Sequence, residues 1–308
     1  MAIAIGMTMP TMLHHDRDDV SAWCRAIDDG PWSTLAVPER ITYTSHSQTV
    51  ELSAAAALTE RVRLCTTIII LPAHPAVQVA KDLATVDRLC DGRLTVGLGV
   101  GGREHDYRAV EGRFDHRWQR MDEQIATMRR IWAGEAPFEG ADPVGPPPVQ
   151  PGGPPLVAGV MGPKALARAA QWAVGVDHGA SILGLRPKGT ATTSFLDFTT
   201  DELASAIAAA RSAWRDAGRA DVPTFTASLF YALGPRAEDR LRTYTFDYLK
   251  LVSDDYAKLA ASAAVCFDES SLRATVTAME DAGCDEVLLT AAGTNVDEVN
   301  RARDVLLG

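Results

Sequence analysis

The chain has 308 residues, a formal net charge of −10 and 46% apolar residues. An acidic balance of this size argues against nonspecific nucleic-acid binding and against attachment to an anionic membrane surface. The apolar content is that of a globular protein with a sizeable core, no window is apolar for long enough to span a bilayer, and the start of the chain carries no basic region or cleavage signature, so a cytoplasmic protein is expected.

Residues 2–9 read as a first strand and 17–28 as a helix that Gly30-Pro31 ends. Residues 33–38 form a short second strand and 50–59 an alanine-rich helix. The run 62–71, VRLCTTIIIL, is nearly continuous and β-branched, as a strand buried on both faces should be. Pro75 opens the next helix, where a first-turn proline forfeits no hydrogen bond, and Gly92 follows its end. Residues 94–100 are the fourth strand and run straight into Gly99-Val100-Gly101-Gly102. A long amphipathic helix spans 116–133, with Trp118, Met121, Ile125, Met128 and Trp132 as its core stripe. The stretch 136–155 is too rich in proline and glycine for regular structure and reads as a surface loop. Then come a fifth strand at 156–160, a helix at 163–171, a sixth strand at 172–176 and an irregular insertion at 181–200. Asp201 caps a helix that ends at Gly218, residues 223–233 are a seventh strand, and 235–263 is one helical stretch. A crossover helix at 269–282, an eighth strand at 286–290 and a helix from 295 close the chain.

Eight strands alternating with helices predict an α/β fold, a closed (β/α)8 TIM barrel in a single domain over 1–308, with excursions at about 136–155 and 181–200. An open doubly wound sheet, or two domains split at 136–155, are the alternatives. In either α/β architecture a site forms at the carboxyl ends of the strands. The five cysteines, Cys24, Cys65, Cys90, Cys266 and Cys284, are scattered, odd in number and without CxxC spacing, which fits buried thiols in a reduced compartment.

The chemistry-bearing residues gather after the strands. Gly97-Leu98-Gly99-Val100-Gly101-Gly102 either admits a flat ring close to the backbone or serves a turn that needs positive φ. Gly159-Val160-Met161-Gly162-Pro163-Lys164 joins a strand end to a helix start, which suits an anion or a simple cap. His74 before Pro75 either hydrogen-bonds a cofactor or pins its loop, with the structural role favoured, and Glu39-Arg40 is a pocket acid with its neighbour or a rim ion pair. Arg103, Glu104 and His105 supply an anion clamp, an acid and a base, or a solvated loop. His14, His15, Glu39 and Asp177-His178 lack any metal-binding spacing, so no metal is expected, and there is no nucleophile elbow or NTPase-type phosphate loop.

Six pieces follow one another along the first third of the chain: Ala54-Ala55-Ala56-Ala57-Leu58-Thr59-Glu60-Arg61, Leu64-Cys65-Thr66-Thr67, His74-Pro75, Ala80-Lys81-Asp82-Leu83-Ala84-Thr85-Val86-Asp87, Asp91-Gly92-Arg93-Leu94 and Gly97-Leu98-Gly99-Val100-Gly101. Their order and spacing resemble the bacterial luciferase-like superfamily of flavin- and deazaflavin-dependent oxidoreductases. Weaker similarity continues through Pro151-Gly152-Gly153-Pro154-Pro155, Gly162-Pro163-Lys164-Ala165-Leu166 and Gly283-Cys284-Asp285-Glu286-Val287-Leu288-Leu289.

The resemblance implies a redox enzyme that is a homodimer and acts on a small-molecule substrate. The deazaflavin branch, using coenzyme F420 for hydride transfer, is the nearer match; the alternatives are an FMN-dependent monooxygenase using reduced flavin and oxygen, and a non-catalytic flavin-binding barrel. It implies a nonprolyl cis peptide or bulge at Thr67–Ile68. It places the cofactor against Thr66, Thr67, Ile68, Gly99, Val100, Gly101, Arg103, Gly159, Val160, Met161, Gly162 and Pro163, and proton transfer on Glu39, Glu104 or His105. The sequence departs from the family at Ala73, where a basic residue is usual, and at Arg40, where the deazaflavin enzymes often carry histidine.

Overall fold

A computed structural model describes residues 2–160, 162–178, 200–250 and 253–308. Its strands are β1 (Ala4–Thr8), β2 (Thr34–Val37), β3 (Arg63–Ile70), β4 (Leu94–Gly99), β5 (Leu156–Gly159), β6 (Gly175–His178), β7 (Thr224–Tyr231) and β8 (Glu286–Ala291). They pair in parallel in chain order, and β8 pairs back onto β1 through Ala4–Glu286 to Met7–Leu289, closing the sheet. The helices between them are α1 (Arg17–Asp28), α2 (Gln48–Leu58), α3 (Ala76–Leu89), α4 (Glu104–Ala109), α5 (Arg117–Trp132), α6 (Pro163–Ala169), α7 (Thr200–Asp216), α8 (Ala237–Leu249), α9 (Asp254–Ala263), α10 (Glu269–Asp281) and α11 (Asp297–Leu306). No helix among the described residues is long and apolar enough to cross a membrane.

Strand side chains alternate between the two faces. Ile5, Met7, Leu35, Val37, Leu64, Leu94, Val96, Leu98, Leu156, Ala158, Phe225, Leu229, Val287 and Leu289 join the large core between sheet and helices. The alternate positions face the barrel axis and are small: Gly6, Ala36, Cys65, Gly97 and Gly99, with Leu288 as a large exception. Ala36, Cys65 and Leu288 form a separate buried cluster there.

At the amino ends of the strands, Glu286 accepts hydrogen bonds from Ser33 Oγ (2.6 Å), Thr34 Oγ1 (2.5 Å) and Arg63. This network fixes the base of β2, β3 and β8 together.

The loop at 136–155 contains no helix or strand, and it packs on the body of the protein. Asp87 of α3, fully buried, accepts from the Val149 and Gln150 amides (2.7 and 3.0 Å) and from Gln150 Nε2 (2.8 Å). Gly153, at φ +98°, lies so close to the Trp132 ring that a Cβ there would meet it at 2.1 Å. Of the insertion expected at 181–200, residues 181–199 lie outside the described residues, and Thr200 already opens α7.

Three boundaries differ from expectation. The stretch 235–263 is two helices, because Ser253 accepts from the Tyr256 amide and caps a fresh start at α9. The sixth strand begins at Gly175, because the Trp172 and Ala173 amides turn back to the Ala169 carbonyl and finish α6 first. The charged run after β4 is a short helix, α4, rather than a loop.

All five cysteines are buried as thiols. Desolvation pushes the Cys24 and Cys284 thiols up to about 12, as expected for inert core positions.

Gly97 gives the sharpest test of the interior packing. A Cβ there would sit 2.2 Å from the Thr66 carbonyl oxygen, a backbone atom that cannot rotate away. Gly97→Ala should destabilise the protein by about 1–3 kcal/mol, the usual cost of overpacking a tight core. Chemical denaturation would read this, and an unchanged midpoint would show that β3 and β4 separate more easily than their geometry states.

Candidate active site at the carboxyl ends of the strands

β3 changes direction before it ends. The Thr67–Ile68 peptide is cis, and the β3–β4 register shifts between Thr66 and Ile69. Ile68 thereby turns across the barrel mouth. Its side chain fills the space where a Cβ would sit on Gly97, Gly99 and Gly159, at 3.0, 2.5 and 2.8 Å. Thr67 and Ile68 themselves stay half-buried. The result is an apolar floor, still accessible, under an opening whose axis-facing rim residues include Thr8 of β1 and Thr290 of β8. The Thr8 hydroxyl is buried and has no partner among the described residues.

The wall above β2 and β4 is polar. Arg103 caps α4 and donates from Nη2 to Thr42 Oγ1 (3.2 Å), while its Nε lies 3.7 Å from Asp106. Asp106 is buried and accepts from the Thr42 amide and hydroxyl. Arg103 Nη1 is buried with no hydrogen-bond partner among the described residues. Burial first, and the neighbouring Arg40 charge, hold the Arg103 guanidinium below its ordinary pKa, against the pull of Asp106. Arg40 stacks 4.1 Å from the Tyr248 ring centroid, and Phe230, Tyr244 and Tyr248 form an edge-packed aromatic group beside it. A cavity of about 410 Å³ opens next to them, lined by Met12, Leu13, Tyr43, Arg236, Arg240, Tyr244 and Lys250 among others.

The residues expected at the site divide into three groups. Thr67, Ile68, Gly99, Gly101, Arg103 and Gly159 stand around the mouth. Gly101 has φ +60° and a Cβ there would meet Ile70 at 2.8 Å, so both this glycine and Gly99 are required by protein packing. Thr66, Val100 and Val160 do not present side chains to it. Thr66 is fully buried and donates to the Gly97 carbonyl (2.9 Å), and both valines turn outward into the core. Met161 lies outside the described residues, whereas Gly162, at φ +82°, leads into α6 with open space around it. Pro163 and Lys164 are exposed.

The three proton-transfer candidates are not brought together. Glu104 is exposed on α4 and makes no hydrogen bond with the described residues. His105 is exposed, with its Nε2 against Arg103. Glu39 is occupied: one carboxylate oxygen accepts from the Ile70 amide (2.5 Å) and the other from His74 Nε2 (2.8 Å). Glu39 therefore anchors the end of β3 and the turn after it, and His74 pins its loop as expected. Thr42, Asp106, Tyr244 and Tyr248 belong to the site and were not singled out in the sequence. Only the i, i+4 tyrosines on one helix face offered a signal.

Burial works against a charged His74, yet the Glu39 hydrogen bond and charge outweigh it and raise the pKa above the ordinary 6.5. A raised value means that protonated His74 stabilises the fold. Its contribution is complete below pH 6.5 and fades as the pH rises through the higher folded-state pKa. The melting temperature of the native protein should fall across that window, and Glu39→Gln should flatten this slope as well as lower the whole curve. Parallel curves for the two proteins would show that His74 titrates independently of Glu39.

Comparison with known proteins places this geometry. The chain is 38% identical over 89 residues to a putative coenzyme F420-dependent oxidoreductase of Mycobacterium tuberculosis, covering 28% of this chain and 24% of that protein. It is 31% identical over 91 residues to an FMNH2-dependent dimethylsulfone monooxygenase of Pseudomonas fluorescens, covering 29% and 25% of the two chains. The matched segment thus spans about a quarter of the length of these curated relatives. An F420-dependent secondary alcohol dehydrogenase, solved with an F420–acetone adduct, superposes with a TM-score of 0.80 at 17% identity, over 100% of this chain and 99% of that one. That likeness establishes the luciferase-like α/β fold. The model of the luciferase-like monooxygenase family matches residues 4–181, more than half of the chain, and the protein belongs to that family.

Proposed function

We propose that the protein is a coenzyme F420-dependent oxidoreductase that moves hydride to or from a small organic substrate. The observation that carries this reading is the seat at Ile68: a half-exposed apolar side chain, closed from below by three glycines, at the carboxyl ends of the strands. A flat, extended ring fits such a floor better than a branched ligand does. The choice of deazaflavin is supported by the match, over 89 residues, to a putative coenzyme F420-dependent oxidoreductase. The second reading, an FMN-dependent monooxygenase using reduced flavin and oxygen, is favoured by the family's own description and by the sulfone monooxygenase match.

When bound, the deazaflavin ring supplies or accepts the hydride, and the protein supplies position and electrostatics. Thr67, Ile68 and the backbone at Gly99 and Gly101 carry the ring. The amides at Gly162 and the start of α6 would hold the cofactor phosphate. No side chain caps that helix and Pro163 has no N–H, so its first-turn amides remain for an anion. Arg103, with Nη1 unengaged among the described residues, is the counterion. His105, adjoining Arg103, and Glu104 are the proton-transfer candidates, both exposed on α4, whereas Glu39 is engaged.

Titrating the purified protein with F420 and, separately, with FMN tests this, followed by cofactor fluorescence. Micromolar binding of F420 with none of FMN is expected; the reverse result supports the monooxygenase, and binding of neither overturns both. Gly162 stands at φ +82° and ψ 160°, a region essentially reserved for glycine, so Gly162→Ala costs about 1–3 kcal/mol of backbone conformational energy. It should weaken F420 binding at least tenfold, with a much smaller effect on the melting temperature of the cofactor-free protein. Unchanged affinity would move the phosphate elsewhere on the rim.

The protein also forms a homodimer through α2 and α3. Val50 and Leu58 on α2 and Leu89 on α3 are exposed at 69, 37 and 54%, an apolar surplus on two adjacent helices. Light scattering at micromolar concentration should return twice the chain mass, and a monomer would refute the interface.

A further inference from the structure

Three side chains from separate segments converge on the rim, in the loop after β1, the loop after β2 and the start of α2. Glu51 lies in the first turn of α2 with its side chain 4% exposed. One of its oxygens, Oε1, lies 2.7 Å from Nε2 of His15, in the loop after β1, and 3.4 Å from Nδ1 of His46, in the loop after β2. The three donor atoms all lie within 4.8 Å of one another. From this we infer that His15, His46 and Glu51 bind a divalent transition cation of the zinc type, which clamps the β1–α1 and β2–α2 loops together.

The ligand chemistry is consistent. Two imidazoles and one carboxylate match the three-ligand set that zinc uses when a fourth position stays open, and nitrogen donors select against calcium and magnesium. The orientation of His15 is fixed by the partner a metal-bound imidazole usually has: its Nδ1 lies 2.9 Å from the Leu13 carbonyl oxygen. A ring that donates Nδ1–H to a backbone carbonyl turns the Nε2 lone pair toward the metal position. The two rings lie 4.1 Å apart, centroid to centroid, and tilted by 47°, so both nitrogens address the same oxygen. Tetrahedral bonds of about 2.1 Å put donor atoms roughly 3.3 Å apart, so the Glu51 carboxylate needs to shift from His15 by less than about 1 Å to admit the ion. His46, 41% exposed at its side chain, leaves the open position facing water.

The rival arrangement is a buried His15–Glu51 ion pair with His46 merely resting on it. In that case His46 Nδ1, at 3.4 Å, makes a second and longer contact to an oxygen that already accepts from His15. A shared cation gives all three groups one partner. It would also stiffen the wall of the neighbouring cavity, since Leu13, which orients His15, lines that cavity. The Met12 amide already ties the same two loops by donating to Ser45 Oγ (3.3 Å).

The test uses the full chain, stripped with a chelator and titrated with Co2+. One equivalent should produce the visible absorption of cobalt in a low-coordinate nitrogen–oxygen site, and one equivalent of Zn2+ should displace it. His46→Ala, at an exposed position that leaves the buried pair intact, should lower cobalt and zinc affinity by at least about tenfold, as removal of a ligand requires. It should also abolish the rise in melting temperature that Zn2+ gives the unaltered protein. Glu51→Gln, which preserves side-chain shape, should do the same. Absence of stoichiometric binding, or equal affinity in the folded His46→Ala protein, would overturn the site and leave only the ion pair.

Discussion

The open end of the barrel takes its shape from one steric fit: Ile68 in the space left by Gly97, Gly99 and Gly159. Any side chain at these three positions would meet Ile68 within about 3 Å, so β4 and β5 can face the axis there only as glycine. The large residues of β4, Leu94, Val96 and Leu98, accordingly all point outward and hold the helices. An apolar side chain inserted from the neighbouring strand fills the axis there and itself stays half-buried.

The two ends of the barrel use polar groups in opposite ways. At the amino ends, the nearly buried Glu286 carboxylate has three donors from two other strands. Removing any of them would leave a charge under-solvated, which is costly, so this end is held rigidly. At the carboxyl ends, the Thr8 and Thr11 hydroxyls and Arg103 Nη1 are buried without partners among the described residues. Such groups cost stability where they stand and gain a use only when a ligand approaches.

The strands were legible because each is an apolar run bounded by turn residues, and parallel strands covered on both faces need that pattern. The site was legible only by region. Position along the chain does not say which way a side chain turns once a strand leaves regular pleating. Thr66 and Thr67 are neighbours, yet one is sealed in the sheet and the other is half-exposed. Val100 and Val160 sit in promising loops and turn outward. Glu39 resembled a pocket acid because its partners, the Ile70 amide and His74, are more than thirty residues away. The same distance hid the grouping of His15, His46 and Glu51, which has no local spacing and exists only because the loops after β1 and β2 lie side by side.

Net charge misleads in a related way. A total of −10 describes the protein seen from afar, and it argues against polyanionic partners. The mouth of the barrel is different. Arg236, Arg240 and Lys250 near the cavity are offset by Asp239, Glu298 and Asp247. Arg40 has only the Tyr248 ring as a described partner, and Arg103 shares one buried aspartate with Thr42. These two cations come from loops sixty residues apart and face each other with insufficient neutralisation, which is why the field of Arg40 works against the charge of Arg103. An acidic protein with a locally cationic mouth repels anions broadly and rewards one only at the site. The energetic gain is largest for a ligand whose anionic end reaches Arg103 while its apolar face covers Ile68, because each contact then removes a group that the fold alone leaves half-satisfied.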